Sequence, residues 1–449
     1  MRIASFTSDV TPPIGHPLCG GWIAPAAEIV DRQLLHGVVI APEGGEPIVL
    51  CAVDWCWIRG EAHVTWCERI AEAVGTQPNR VAVQCVHQHD ALMADPAADR
   101  ILQRLGLDLR TLRGPFFEDA MSRCAKAARA AGARLRRVTH LGRGHARVEK
   151  VACNRRVLGP DGRVKYWRGS FCKDEAARTQ PEGLIDPWLR TVSFWDGEAC
   201  LAALHYYATH PMSHYGRGGV SADFVGLARE RLRAEQRIAH DYFTGCAGNI
   251  AAGKYNDGSP AMRPVLSERM YAGMKSAFDH TRRTPVESVS WAVYPLHLPM
   301  SRVFTRAFFE KHLHNPEGTA AERIKGAMGA AWWDWHETGR KIDLTALHIG
   351  DTHILHLPAE SFIEYQLDAQ HVLLSPSHAA SASQPAATVP EEPRESDPFI
   401  AVAAYGDCGP AYIPLAEHYP QGGYEVTMAW VGPEAERVMK EGIRHVLRT

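Results

Sequence analysis

The chain has 449 residues, a 45% hydrophobic share, 12 tryptophans and a formal net charge of −2. That is ample apolar mass for a large core, and with this net charge and basic residues scattered along the chain nothing marks a polyanion-binding surface, so no nucleic-acid partner is expected. No run approaches the ~18 apolar residues of a membrane span, and the 11 cysteines, odd in number and without CxxC pairs, suit reduced thiols in a cytoplasmic protein.

The N-terminus reaches Pro12-Pro13 without an apolar signal core, and the proline- and glycine-rich stretch from Ser8 to Trp22 reads as an ordered loop near a site. Strands are expected over 33–41 and 47–55, the second ending in Asp54, with a helix over 60–74 after them. The run Val81 to Asp90 alternates Val81, Val83 and Cys85 on one face and is expected to carry that face into His87 and His89. A helix over 115–131 and strands over 135–140 and 145–151 follow. Cys153 to Arg163 reads as a strand end plus a hairpin turning at Pro160-Asp-Gly. The 170–185 stretch is polar and irregular, a lid or a surface excursion.

Strands over 189–194 and 200–208 form a second hairpin, whose exit holds His210 before Pro211, and a helix over 225–237 comes next. A strand from Asp241 opens into the glycine-rich turn Gly245-Cys-Ala-Gly-Asn-Ile-Ala-Ala-Gly253, which lacks phosphate-loop spacing. Helices are expected over 263–282, 303–313 and 320–338, with a strand over 288–298. Strands over 342–350 and 353–357 lead to Pro358-Ala-Glu360 and a helix. Residues 375–398 are rich in Ser, Ala, Pro and Glu and read as a flexible insertion. A last strand over 399–405, a loop rich in tyrosine and a terminal helix over 433–447 complete a single α/β domain, 1–449, of mixed sheets flanked by helices.

His87, His210 and Glu360 each stand just past the end of an apolar strand, where α/β proteins build sites. Two imidazoles and a carboxylate are a zinc ligand set that leaves a position for water. The alternatives are hydrogen-bonded histidines at strand exits and an acid at a helix start. Asp54 and Asp223 are candidate acceptors that orient ligand histidines, or caps. Cys246 reads as an apolar structural thiol.

In its opening Asp9-Val-Thr-Pro-Pro, its Val-His87-Gln-His89, its Ala-Thr-His210-Pro with Ser221-Ala-Asp223, its Gly-Cys-Ala-Gly248-Asn-Ile, its Leu-Pro-Ala-Glu360 and its Tyr412-Ile-Pro with Tyr419 and Tyr424, the chain resembles the neutral/alkaline ceramidase superfamily in its amidohydrolase domain. The resemblance implies a Zn²⁺ ion on His87, His210, Glu360 and Tyr412, with His89, Arg155 and Tyr424 around the reacting carbonyl. Arg156 is the rival for the role of Arg155. Two departures stand out: Ala251 occupies the place of the family's active-site serine, and the C-terminal immunoglobulin-like domain is expected to be absent. The resemblance implies a zinc-dependent hydrolase of a carboxylic amide, or of an ester or lactone, acting on a small-molecule substrate. A phosphoester hydrolase and a catalytically silent binding protein are the rival readings. Oligomeric state, including a homo-oligomer, is left open.

Overall fold

Arg2–Asp9 is the first strand of the protein: it pairs antiparallel with Leu34–Ala41 over its whole length, and Phe6 and Ser8 are buried on either side of exposed Thr7. The sequence reading passed over it, because the prolines that follow dominate the composition of the N-terminus. In the computed structural model, which describes residues 1–374 and 389–449, Arg2–Asp9 is part of a five-stranded sheet in the order Val81–Cys85, Ile48–Val53, Leu34–Ala41, Arg2–Asp9 and Arg136–Arg137. A second five-stranded sheet runs Ala239–Thr244, Ala199–Tyr207, Trp188–Asp196, His140–Arg147 and Arg282–Pro285. The third has four strands, Val289–Leu296, Ile342–Ile349, Thr352–His356 and Phe399–Ala403. Helices Glu61–Val74 and Phe116–Gly132 cover the first sheet, Asp223–Gln236 and Met262–Asp279 the second, and Ala435–Arg448 the third.

One edge strand in each sheet lies parallel to its neighbour after a crossover: Val81–Cys85, Ala239–Thr244 and Phe399–Ala403. These three edges would expose unpaired backbone groups, and they are blunted by meeting one another. The Cys85 amide donates to Tyr405 O at 2.8 Å, the Ala404 amide to Thr244 O at 2.8 Å, and the Thr244 hydroxyl to Val86 O at 2.7 Å. The three sheets therefore converge at the carboxyl ends of their edge strands.

Where elements differ from expectation, packing gives the reason. The two strands expected over 135–140 and 145–151 are instead the two-residue Arg136–Arg137 and the continuous His140–Arg147. Gly142 and Gly144 weaken any strand reading there, yet a Cβ on Gly144 would lie 1.9 Å from Ala277 O, so the helix Met262–Asp279 can approach only because the strand is bare. The run from Val81 stops being a strand at Cys85, and His87 adopts φ 76°. Beyond 399–403 a further short strand, Tyr412–Ile413, pairs in parallel with Glu360–Ser361. Of the insertion expected over 375–398, residues 375–388 lie outside the described residues. The rest is irregular but docked on the second sheet, with Trp188 Nε1 donating to Pro390 O at 3.2 Å and Arg282 paired to Glu395 at 2.5 Å.

Asp54 does not orient a histidine. It ends the strand Ile48–Val53 and receives both Nη atoms of Arg229 at 2.8 Å, Gln88 Nε2 at 2.9 Å and the Leu34 amide at 2.9 Å. Both members of the ion pair are fully buried. Asp223 likewise holds the Ser213 and Phe224 amides and faces Arg263. Removing one partner strands the other charge in the interior, so Asp54→Ala should lower the free energy of unfolding by about 3–5 kcal/mol in urea titrations.

A second expectation concerns acid. His356 shares one bond with Thr345 Oγ1 at 3.2 Å, its Nε2 has no partner, and burial pushes its pKa down to about 3. The ring is neutral in the fold and charges on unfolding, so its contribution is complete above its unfolded pKa of about 6.5 and is lost as pH falls below it. His356→Gln should flatten the pH dependence of the urea midpoint between about pH 6.5 and 4.

Candidate metal centre

The convergence of the three sheets sets one strand exit from each against the others. His87 follows Val81–Cys85, His210 follows Ala199–Tyr207, and Glu360 follows Thr352–His356. Their ligand atoms all lie within 4.8 Å of one another, and all three residues are buried. His87 Nε2 is 3.5 Å from Glu360 Oε1, and His210 Nε2 is 3.0 Å from Glu360 Oε2.

The tautomers follow from the other ring nitrogens. His87 Nδ1 lies 2.8 Å from Cys56 O, and His210 Nδ1 lies 2.9 Å from Ile250 O. A carbonyl only accepts, so each Nδ1 carries the proton and each Nε2 presents a lone pair. Two lone pairs thus face a carboxylate, one oxygen of which, Oε2, is buried without a hydrogen-bond donor. Burial pushes the His87 pKa down to about 4 and, with Arg155 nearby, the His210 pKa down to about 3, so neither ring brings a second proton at neutral pH. Burial also raises the Glu360 pKa, against the pull of His87 and Arg155. A cation between these acceptors resolves the conflict, and the set of two imidazoles and a carboxylate fits zinc. The orienting groups are main-chain carbonyls, which residue types do not advertise.

Tyr412 arrives beside Glu360 through the register of the short parallel pair, Glu360 opposite Tyr412. Its hydroxyl accepts from Arg155 Nη1 at 3.2 Å. Burial and Glu360 raise its pKa well above that of a free phenol, against Arg155. Arg155 alone does not offset this; a metal ion at the hydroxyl would, and would make the phenolate a ligand.

Arg155 is the centre of the polar wall. Its Nη1 also points at His210 Nε2 at 3.3 Å and Gly248 O at 3.4 Å, while its Nε faces Glu425 Oε1 at 3.4 Å. Arg156, the rival candidate, turns away from the site. It ties down the 418–425 loop through Glu425 Oε2 at 3.0 Å, Gly422 O at 2.8 Å and Gln421 Oε1 at 3.1 Å. Tyr424 stands over the guanidinium of Arg155 at 5.5 Å and against Tyr412 at 5.9 Å, and at 41% exposed it lies on the solvent side. His89 sets its Nε2 3.3 Å from His87 Nε2 and its ring against Tyr215 at 5.0 Å.

Sequence reading missed Glu425, which pairs with both arginines, and Tyr405, which stacks on His87 at 4.4 Å. Tyr405 was visible in the tyrosine-rich loop. Glu425 had only its place beside Tyr424 to mark it. Cys246 is fully buried and its thiol pKa is raised by burial, in keeping with a structural role. Ala251 lies in the two-residue strand Ile250–Ala251, paired with Cys153 and fully buried.

No protein-family model matches the chain, and no curated protein matches it. Solved structures do. A neutral ceramidase from Pseudomonas aeruginosa aligns at 17% identity over 99% of this chain and 73% of that one, with a TM-score of 0.69. A ceramidase complexed with C2 aligns at 16% identity over 100% and 75%, with a TM-score of 0.70. The chain therefore has a neutral ceramidase-like fold of mixed α/β class along its whole length.

Purified protein should carry about one equivalent of zinc, and His87→Ala or His210→Ala should each abolish it, as read by elemental analysis. Gly248→Ala tests the frame: its Cβ would lie 2.3 Å from Glu360 O. That substitution should weaken zinc by roughly tenfold to a hundredfold while the chain stays folded.

Proposed function

We propose that the chain is a zinc-dependent hydrolase that cleaves a carboxylic amide, or less readily an ester or lactone. The supporting observation is the facing of three buried lone-pair donors, with a fixed guanidinium at their edge, on a ceramidase-like fold. His87, His210, Glu360 and Tyr412 would hold the ion, which when bound supplies Lewis-acid polarisation of a carbonyl and a lowered pKa for water.

The chain's own groups account for the rest. Arg155 is held charged by Tyr412 and Glu425 in spite of burial, so a permanent donor stands ready for an oxyanion. Tyr424, on the open side of Arg155, adds a hydroxyl to the same oxygen. His89, half-buried beside His87, moves a proton to the leaving nitrogen. Tyr405 and Trp57 flank the His87 ring at 4.4 and 6.2 Å and keep bulk water off the inner side. Ala251 is neither nucleophile nor donor, so water attacks directly and no acyl intermediate forms on the protein.

The groups concerned come from positions 87 to 424, so residues 1–449 act in this reading as one catalytic domain. All 11 cysteines are free, which suits a reducing compartment such as the cytoplasm. No helix among the described residues is long and apolar enough to cross a membrane.

A panel of N-acyl amines, esters, lactones and phosphoesters assayed with zinc-loaded protein decides between the readings. Turnover is expected on an amide, and Arg155→Met should lower kcat/KM by roughly a hundredfold. Turnover confined to phosphoesters would replace the bond assignment. Full zinc with no turnover on any class would leave a binding protein, the outcome Ala251 favours.

A further inference from the structure

A pair of thiols adjoins His87 and His89. Cys19 Sγ and Cys56 Sγ are 3.9 Å apart and both residues are buried. Cys19 Sγ is 3.8 Å from His89 Nδ1, and Cys56 Sγ is 3.8 Å from His87 Nδ1. One extended segment holds them side by side, since the Cys19 amide donates to Ala91 O at 2.7 Å and the Cys56 amide to Leu92 O at 2.7 Å. The two backbones are therefore registered on consecutive residues.

The two cysteines differ in freedom. Cys56 lies between buried Trp55 and the short strand Trp57–Ile58. Cys19 adopts φ 45° and is followed by Gly20 at φ 65° and Gly21 at φ 84°, a turn in which an L residue is already strained and two glycines can absorb rotation. A disulfide needs the sulfurs at about 2.05 Å, and rotation of the Cys19 side chain with adjustment of this turn can close the gap.

We propose that Cys19 and Cys56 form a reversible disulfide on exposure to hydrogen peroxide, and that this bond switches the adjoining site down. The Cys19 sulfur attacks one peroxide oxygen, the O–O bond breaks, and a sulfenic acid and one water result. The Cys56 sulfur then displaces the hydroxyl as a second water while the S–S bond forms. Two thiols lose two electrons and two protons, and peroxide is reduced to two waters. The new bond draws Cys19 away from the ring of His89 and pulls on the Cys56 main chain, whose carbonyl fixes the tautomer of His87. His89, which lies 3.8 Å from Cys19 Sγ, is only half-buried, so peroxide would approach the pair on that side. The effect on activity rests on the hydrolase reading above; the formation of the bond does not.

The test uses zinc-loaded full-length protein treated with a tenfold excess of hydrogen peroxide, blocked with N-ethylmaleimide and mapped without reduction. The expected product links the peptide bearing Cys19 to the one bearing Cys56, and fragmentation must assign the bond to Cys56 rather than to Cys51 of the same tryptic peptide. A second close pair, Cys85 with Cys408, makes a simple thiol count insufficient. Hydrolysis should fall by roughly tenfold, the size of a disturbed partner behind a metal ligand, and return with dithiothreitol. Cys19→Ala should form no link and keep its activity under peroxide, and Cys19→Ser repeats the test if that variant misfolds. Absence of the linked peptide overturns the proposal even if no substrate is found. Equal loss of activity in wild type and Cys19→Ala overturns the switch.

Discussion

Two imidazole lone pairs and a carboxylate face one another inside a buried junction of three sheets, and much of the surrounding structure serves that confrontation. Uncompensated, it is unfavourable, because acceptors meet acceptors away from bulk solvent. Each imidazole is locked into this posture by a main-chain carbonyl, Cys56 O for His87 and Ile250 O for His210, so neither ring can turn its proton inward. The fold holds a region of negative potential ready, and a bound cation would stabilise what is otherwise a cost.

The cost is visible in the backbone. His87, Ala359, Tyr405 and Ala411 all have positive φ, at 76°, 50°, 64° and 59°, although none is glycine. Such residues cost about 1–2 kcal/mol each and persist only where their surroundings overdetermine them. Here they cluster at the junction, at or beside the residues that aim inward. Val86 and Tyr405 anchor the first sheet to the others through Thr244 Oγ1 and the Cys85 amide, so the turn at His87 is held on both sides. The same hydrogen bonds that blunt three sheet edges set the positions of the ligand side chains, which couples the stability of the fold to the geometry of the centre.

On the open side the arrangement changes character. Arg155 is surrounded by Glu425, Tyr412, Trp167 and Tyr424, so its charge is compensated and its direction fixed, while Tyr424 and Trp167 remain 41% and 43% exposed. In the proposed reading, this polar wall with its aromatic rim receives a substrate that offers one carbonyl and an apolar body. Ala251 is fully buried in its short strand opposite Cys153, while Arg155, Tyr424 and His89 gather about His87 and His210. Likeness to solved ceramidase structures shows the architecture, and the proposed chemistry depends on these particular side chains.

Hydrophobic periodicity marked most of the strands and helices because burial on one face leaves a period in the chain: Leu34–Ala41, Glu61–Val74, Ala199–Tyr207 and Thr352–His356 lie close to where alternation and capping put them. Where the determining contact is remote, local pattern failed. His140–Arg147 was split in two because its glycines answer to the helix Met262–Asp279, more than a hundred residues away. The candidate residues His87, His210 and Glu360 were legible as polar groups at the ends of apolar strands, since a strand exit is a local event. Their convergence was not, because it depends on how three sheets dock. Tyr412, Arg155 and Tyr424 were reached through the motifs of a family resemblance. The turn of Arg156 away from the site, the carbonyls that set the tautomers, and the pairing of Glu425 with both arginines were decided by tertiary structure alone. A sequence specifies which groups a segment carries and which face it buries; only packing brings distant segments close enough for one group's lone pair to require another's charge.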